Sequence, residues 1–314
     1  MFSARTILSR LKSLQEYLNT CPRNKKSAYF EMIITEAFSH ILYLPFFSSD
    51  NNEIKIPHHV FWRGSKIRMS NAPGGGADTI AYCYNYYLLI ETTRDISSDQ
   101  WRRELSQATR HYSNFRNNKS PTDIYVILVC TKLHHDTWRS IRINPDRECR
   151  IIPIELPTII TMLETSILAF TLRHLEIREL LNKIRDISLK SLPTIDDFHK
   201  EITIEINNWQ KNVLNMEKIV FTAVKSYEAM RKIGRNYVGV SEILIRLKKH
   251  PIVQCYFNKM GYTLDYSLIE ESLIYQGLAC CVGAIPDGEK LFSPVPLIDL
   301  IKRNERFIKT VSRI

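Results

Sequence analysis

The sequence has 314 residues, is 44% hydrophobic and 24% charged, and carries a formal net charge of +10. Its length fits two soluble domains of roughly 100–200 residues each. With only 10 Gly and 13 Pro, it is neither collagen-like nor low-complexity. The basic excess raises the expectation of a polyanionic partner such as nucleic acid but fixes no chemistry.

Residues 4–19 read as a helix, with Ile7, Leu8, Leu11, Leu14 and Leu18 at helical spacing. Arg5, Arg10, Lys12 and Glu16 interrupt any secretory signal core. A second helix is expected over 28–44 and a strand over 54–62, weakened by Pro57. Arg63 to Gly76 reads as a loop ending in Pro73-Gly74-Gly75-Gly76, whose glycines permit close main-chain approach to a ligand. No Gly-Lys-Ser/Thr follows, so this is not a P-loop.

The most informative stretch is 73–93, PGGGADTIAYCYNYYLLIETT. Strands over 77–83 and 86–93 joined at Tyr84-Asn85 form a hairpin in which Asp78 lies directly opposite Glu91. Opposed residues share a face, with Cβ atoms ~4.5–5.5 Å apart. Two carboxylates at that separation repel, and a divalent cation between them reverses the sign. Mg²⁺ takes one or two carboxylates and completes its shell with water and phosphate oxygens, the composition of a phosphodiester-cleaving site.

The helix expected over 98–117 carries an apolar stripe of Trp101, Leu105, Ala108, Tyr112 and Phe115. Beside it runs a polar stripe of Gln100, Glu104, Gln107, His111 and Asn114. Gln107 and His111 are i, i+4 neighbours placed to reach toward the carboxylates, where an imidazole orients or deprotonates water or holds a phosphate. A buried strand over 123–130, a short helix near 134–142, a strand near 150–155 and a helix from about Thr158 complete an α/β region. The apolar run from Ile151 to Leu172 is broken by Pro153, Glu155, Pro157 and Glu164, so it is no membrane span.

Residues 173–234 read as helical. Apolar positions 206, 209, 213, 216, 220, 223, 227 and 230 form a heptad seam. It either dimerises or folds back on the stripe Ile177, Leu180, Leu181, Ile184 and Ile187. The last region, 235–314, holds a helix from a Ser241 cap to about Lys249 and another from Asp265 to Gly277. Strands over 278–285 and 289–293 flank Pro286-Asp287-Gly288. Helices followed by a β-hairpin are winged-helix-like, used for packing or for DNA. The expected recognition helix carries Asp265, Glu270 and Glu271, while Arg246, Lys248, Lys249 and Lys259 lie earlier. The domain boundaries expected are therefore 1–172, 173–234 and 235–314. Seven cysteines without a CxxC read as reduced thiols in a cytoplasmic protein. The pairs His58–His59 and His134–His135 lack zinc-site spacing.

Gly-Ala-Asp78 and Ile90-Glu91-Thr92-Thr93 resemble the second and third motif elements of the PD-(D/E)xK nuclease superfamily. The form is similar to type II restriction endonucleases, including type IIS and nicking relatives, with a Gly-Gly-Ala-Asp strand, a Glu-x-Thr strand and a downstream histidine. The resemblance implies that Asp78 and Glu91 bind Mg²⁺ and that His111 is the helix histidine. It implies that Glu31 of Phe30-Glu31, with Glu36 as the alternative, joins the metal site through water, that Gln107 faces DNA, and that Gln107 and His111 position water or the scissile phosphate. Thr93 departs from the lysine of most members, which leaves either a histidine-bearing variant or an inactive scaffold. The fold implied is a mixed sheet flanked by helices over about 28–155. The function implied is a Mg²⁺-dependent, sequence-specific endonuclease acting on double-stranded DNA, with a second nuclease site from a homodimer or a partner subunit. A transposase-type or repair nuclease, and a non-catalytic DNA-binding or assembly subunit, are the competing readings.

Overall fold

A computed structural model describes residues 3–14, 16, 26–42, 46–47, 66–69, 76–83, 86–117, 123–143, 149, 151–169, 174–286, 288–296 and 299. The chain divides into two compact units, Met1–Leu214 and Asn215–Ile314. The sequence places boundaries instead at 172 and 234. The expected strand 54–62, Pro73 to Gly75 and the turn residues Tyr84 and Asn85 lie outside the described residues.

In the first unit, helices α1 (Ala4–Lys12) and α2 (Lys26–Leu42) precede strands β1 (Phe46–Phe47), β2 (Lys66–Met69), β3 (Thr79–Tyr82) and β4 (Tyr86–Thr93). A π-helical turn, Trp101–Leu105, leads into α3 (Ser106–Asn117), followed by β5 (Asp123–Cys130), α4 (His135–Ile143), β6 (Ile151–Glu155), α5 (Leu156–Leu168) and α6 (His174–Leu189). Helix α7 (Ile195–Ile233) begins in this unit and runs into the second. The six strands form one sheet in the order β1-β2-β3-β4-β5-β6. Strand β2 falls inside the segment expected to be a loop. Pairing is antiparallel from β2 to β4 and parallel from β4 to β6. Pro153, which has no N–H to donate, sits in β6 at the sheet edge, where a strand proline is tolerated.

The central strands β4 and β5 are buried on both faces, as covered parallel pairs require. One face packs on Phe30, Ile33, Ile34 and Phe38 of α2, with α1, α5 and α6. The other packs Ile80, Leu89, Val126 and Leu128 against Leu105, Ala108 and Tyr112. Thus Leu105, Ala108, Tyr112 and Phe115 of the stripe read from the sequence of 98–117 face the sheet, whereas Trp101 is exposed. The heptad seam is used inside the chain. Ile206, Trp209 and Val213 are buried in the same core as Ile177, Leu180, Leu181 and Ile184, the fold-back arrangement. Met230 lies in the core of the second unit.

The second unit contains β7 (Val238–Gly239), α8 (Val240–Lys248), α9 (Pro251–Met260), α10 (Tyr266–Tyr275), β8 (Ala279–Ala284) and β9 (Lys290–Pro294), with strand order β7-β9-β8. Helix α9 was not expected. Pro251 at its first turn and left-handed Gly261 at its end supply ordinary start and stop signals. Asp265 caps α10 as expected, accepting from the Leu268 N–H. Ser241 does not cap α8. The N-cap is Gly239, and Glu289 reaches over from the hairpin to accept both the N–H and the hydroxyl of Ser241, at 2.6 and 2.5 Å. A Cβ at Gly239 would stand 2.5 Å from that carboxylate. Every cysteine among the described residues is a free thiol. No described helix is long and apolar enough to cross a membrane.

Glu289→Ala removes this long-range cap. We expect it to cost about 1–2 kcal/mol in urea unfolding, and an unchanged midpoint and slope would show that the cap contributes nothing.

Candidate active site

Three elements meet at the site. Strands β3 and β4 pair Thr79 with Ile90, Ile80 with Leu89 and Ala81 with Leu88. This is the register that places Asp78 opposite Glu91. Ile80 and Leu89 face α3, so by strand alternation Asp78 and Glu91 point to that face as well. Asp78 stands just before β3, and its Oδ2 accepts from the Thr92 N–H at 2.8 Å and the Thr92 hydroxyl at 3.0 Å. These two bonds pin the carboxylate across the hairpin.

His111 comes to the same place from α3. It is buried, at 6% exposure, beside Glu91 at 3%. Its Nδ1 lies 2.7 Å from Glu91 Oε1. With the proton on Nδ1 donated to the carboxylate, Nε2 is left as an acceptor. Arg110 brings its guanidinium Nη2 to 3.5 Å from Nε2. Glu91 thereby fixes the orientation of the imidazole.

Glu31 reaches the site from α2. Burial, then the charges of Asp78 and Glu91, push its carboxyl up to about 7 from an ordinary 4.5. Asp78 is raised in the same way, by burial and then by Glu91, against the lowering effect of the Thr92 bonds and of His111. Of the two glutamates weighed on α2, Glu31 is the one in the field of both hairpin carboxylates. Glu36 is buried at 4% exposure. The helix is anchored at β3 because the Thr35 hydroxyl bonds both the Glu31 carbonyl and the Thr79 hydroxyl.

Gln107 is exposed on α3 and stands outside this hydrogen-bonded set. Gln100 is fully buried and serves the framework, bonding the carbonyls of Asp95 and Lys132 and accepting from the His134 N–H.

Sequence reasoning gave no role to Thr92 or Glu104. Glu104 lies in the π-helical turn, hydrogen-bonds Thr93, and is raised by burial and by the charges of Asp78, Glu91 and Asp95. The only prior signal was its place in the polar stripe. Thr93 is buried and also accepts from the Asp95 N–H at 3.1 Å.

In Glu31, Asp78 and Glu104, burial first and neighbouring carboxylates second oppose ionisation. The donors of the site are carboxylate oxygens, the hard set that suits Mg²⁺ or Ca²⁺. Among the described residues no three His, Cys, Asp or Glu side chains converge to hold an ion by themselves. Asp78 and Glu91, opposite each other in the hairpin register, offer carboxylate oxygens of the kind a divalent cation takes with water and ligand oxygens completing its shell.

Residues 8–162 match the model of a family described as AlwI restriction endonuclease. Among solved structures, the small subunit (R.BspD6I2) of the heterodimeric restriction endonuclease R.BspD6I is similar at 17% identity and a TM-score of 0.45, covering 65% of this chain and 98% of that chain. No curated protein matches the sequence.

Because the folded Glu31 carboxyl holds its proton to a higher pH than an unfolded one, folding takes up a proton between pH 4.5 and about 7. Stability from this group is therefore present at low pH and lost as pH rises through about 7. In EDTA we expect Glu31→Gln to be more stable than wild type at pH 8, with the difference shrinking toward pH 5. A difference that does not vary with pH would contradict the assignment.

Proposed function

We propose that this chain, type II restriction endonuclease-like over residues 8–162, is a Mg²⁺-dependent, site-specific DNA endonuclease of cytoplasmic restriction–modification type. The observation that carries this reading is the facing pair Asp78 and Glu91, pinned by Thr92 and joined to His111. Asp78 and Glu91 would hold the cation, with Glu31 joining through water. When bound, that cation would polarise the phosphodiester and lower the pKa of an attacking water.

The chain's own groups do the rest. Thr92 holds Asp78 in the one orientation that faces Glu91. Glu91 fixes the His111 tautomer, so that Nε2 is available to accept a proton from water or a hydrogen bond near the scissile phosphate. Arg110, beside Nε2, supplies positive charge for a phosphate oxygen. Gln107, exposed one helical turn from His111, would contact DNA rather than the reacting centre. One such site cuts one strand, so a double-strand break needs a second copy of this chain or a partner nuclease subunit.

The second unit, three helices followed by a hairpin on a three-stranded sheet, supports the winged-helix-like reading. A non-catalytic reading draws on Thr93 in place of lysine. The joint presence of Asp78, Glu91 and His111 in one hydrogen-bonded set favours the active one.

The purified chain is expected to nick naked plasmid, or cut it into discrete fragments, in Mg²⁺ without partner proteins. Asp78→Ala and Glu91→Ala should abolish cutting. His111→Ala should slow it by about 10²-fold or more. Equal cutting by the Asp78 and Glu91 variants would overturn the site, and cutting only with added partner proteins would favour the transposase-type or repair reading.

A further inference from the structure

The second unit carries an uneven distribution of charge that hydrolysis does not explain. Three of its cations are neutralised. Arg235 pairs with Glu242, Lys290 with Glu270 and Lys225 with Glu228. Arg246, Lys248, Lys249 and Lys259 are exposed and form no ion pair among the described residues. All four lie on α8, on the short link after it, or on α9.

Helix α9 has the composition that such a cluster needs. Val253 and Phe257 face the core, while Ile252, Gln254, Cys255, Asn258 and Lys259 are exposed, and the helix holds no acidic residue. Helix α10, the position a winged-helix reading assigns to recognition, shows the opposite. Its exposed face carries Glu271, and Glu270 is tied to Lys290. A carboxylate-bearing helix meets repulsion at a phosphate backbone, and a helix with cations at its ends does not.

The cations also have useful spacing. The Gln254 Nε2 donates to the Lys248 carbonyl, which seats the first turn of α9 beside the last turn of α8. Lys248 and Lys249 therefore lie at one end of α9 and Lys259 at the other. From residue 251 to 259 a helix rises about 12 Å, close to the ~12 Å width of the DNA major groove. Between them stand an amide, Asn258, of the type that pairs with adenine N6 and N7, and Ile252, which suits a thymine methyl.

We propose that α9, not α10, enters the major groove of duplex DNA, with Lys248, Lys249 and Lys259 on flanking phosphates and Asn258 on a base edge. This face belongs to the second unit and the carboxylate centre to the first, and phosphate binding by its lysines needs no hydrolysis.

The test uses the full chain in EDTA, where no metal supports cutting. Binding to a fluorescent random-sequence 30-bp duplex is followed by anisotropy over a range of salt. Lys248→Gln/Lys249→Gln is expected to lower the slope of log K against log salt by about 1.8, from about 0.9 per lost phosphate contact. Asn258→Ala should keep the wild-type slope and shift the sequences selected from a randomised duplex pool. Glu271→Gln should leave both unchanged. The proposal is overturned if the double variant, folded by circular dichroism, keeps the wild-type slope and affinity. It is also overturned if an RNA duplex binds equally well with the same loss of slope, since the deep A-form groove excludes side chains. Loss of binding with nicking retained at low salt would leave the nuclease reading standing. Binding retained without any nicking would overturn the nuclease reading alone.

Discussion

Repulsion between buried carboxylates is the constraint around which the first unit is arranged. Asp78 and Glu91 face each other because β3 and β4 pair in a register that the apolar alternation enforces. A slip of one residue would turn Ile80, Leu89 and Leu88 to the wrong faces, so the acidic opposition is held by core packing that has nothing to do with charge. Glu31 then brings a third carboxyl into the same field, raised to about 7. A protein tolerates such a cluster when a ligand offsets the cost, which is why strongly raised carboxyls mark functional sites.

The surrounding residues manage that charge in separate ways. Thr92 gives Asp78 two hydrogen bonds, and the His111 imidazole faces Glu91. Thr93 hydrogen-bonds Glu104. The basic groups beside these carboxylates, His111 and Arg110, come from the helix. The π-helical turn at Trp101–Leu105 sits where α3 begins, and such turns recur at functional positions in helices. Here it carries Glu104 to Thr93.

What the sequence made legible follows the same physics. The hairpin register was readable because period-two alternation fixes side-chain faces. The α3 stripe was readable because the period of 3.6 sets one buried face. Strand β2 was not, since Lys66-Ile67-Arg68-Met69 is short and lies in a stretch dominated by turn residues. Helix α9 was missed because its pattern spans only Val253 and Phe257 as core positions. The Ser241 cap was misassigned because local rules see a serine but not Glu289, which arrives from 48 residues away. The same limit hid Thr92 and Glu104, whose roles depend on cross-strand and helix–sheet contacts. Of the heptad seam, Ile206, Trp209 and Val213 are buried with the chain's own α6, a choice that periodicity alone leaves open, while Met230 lies in the core of the second unit.

Metal-linked stability tests the central electrostatic account most directly. On the proposed reading, thermal unfolding of the wild type should shift upward when Mg²⁺ replaces EDTA, because a cation held by Asp78 and Glu91 would bind the folded state alone. Asp78→Asn, which removes one of the opposed charges, should melt higher than wild type in EDTA and respond little to Mg²⁺. A wild-type midpoint indifferent to Mg²⁺, together with an Asp78→Asn variant no more stable than wild type in EDTA, would contradict it.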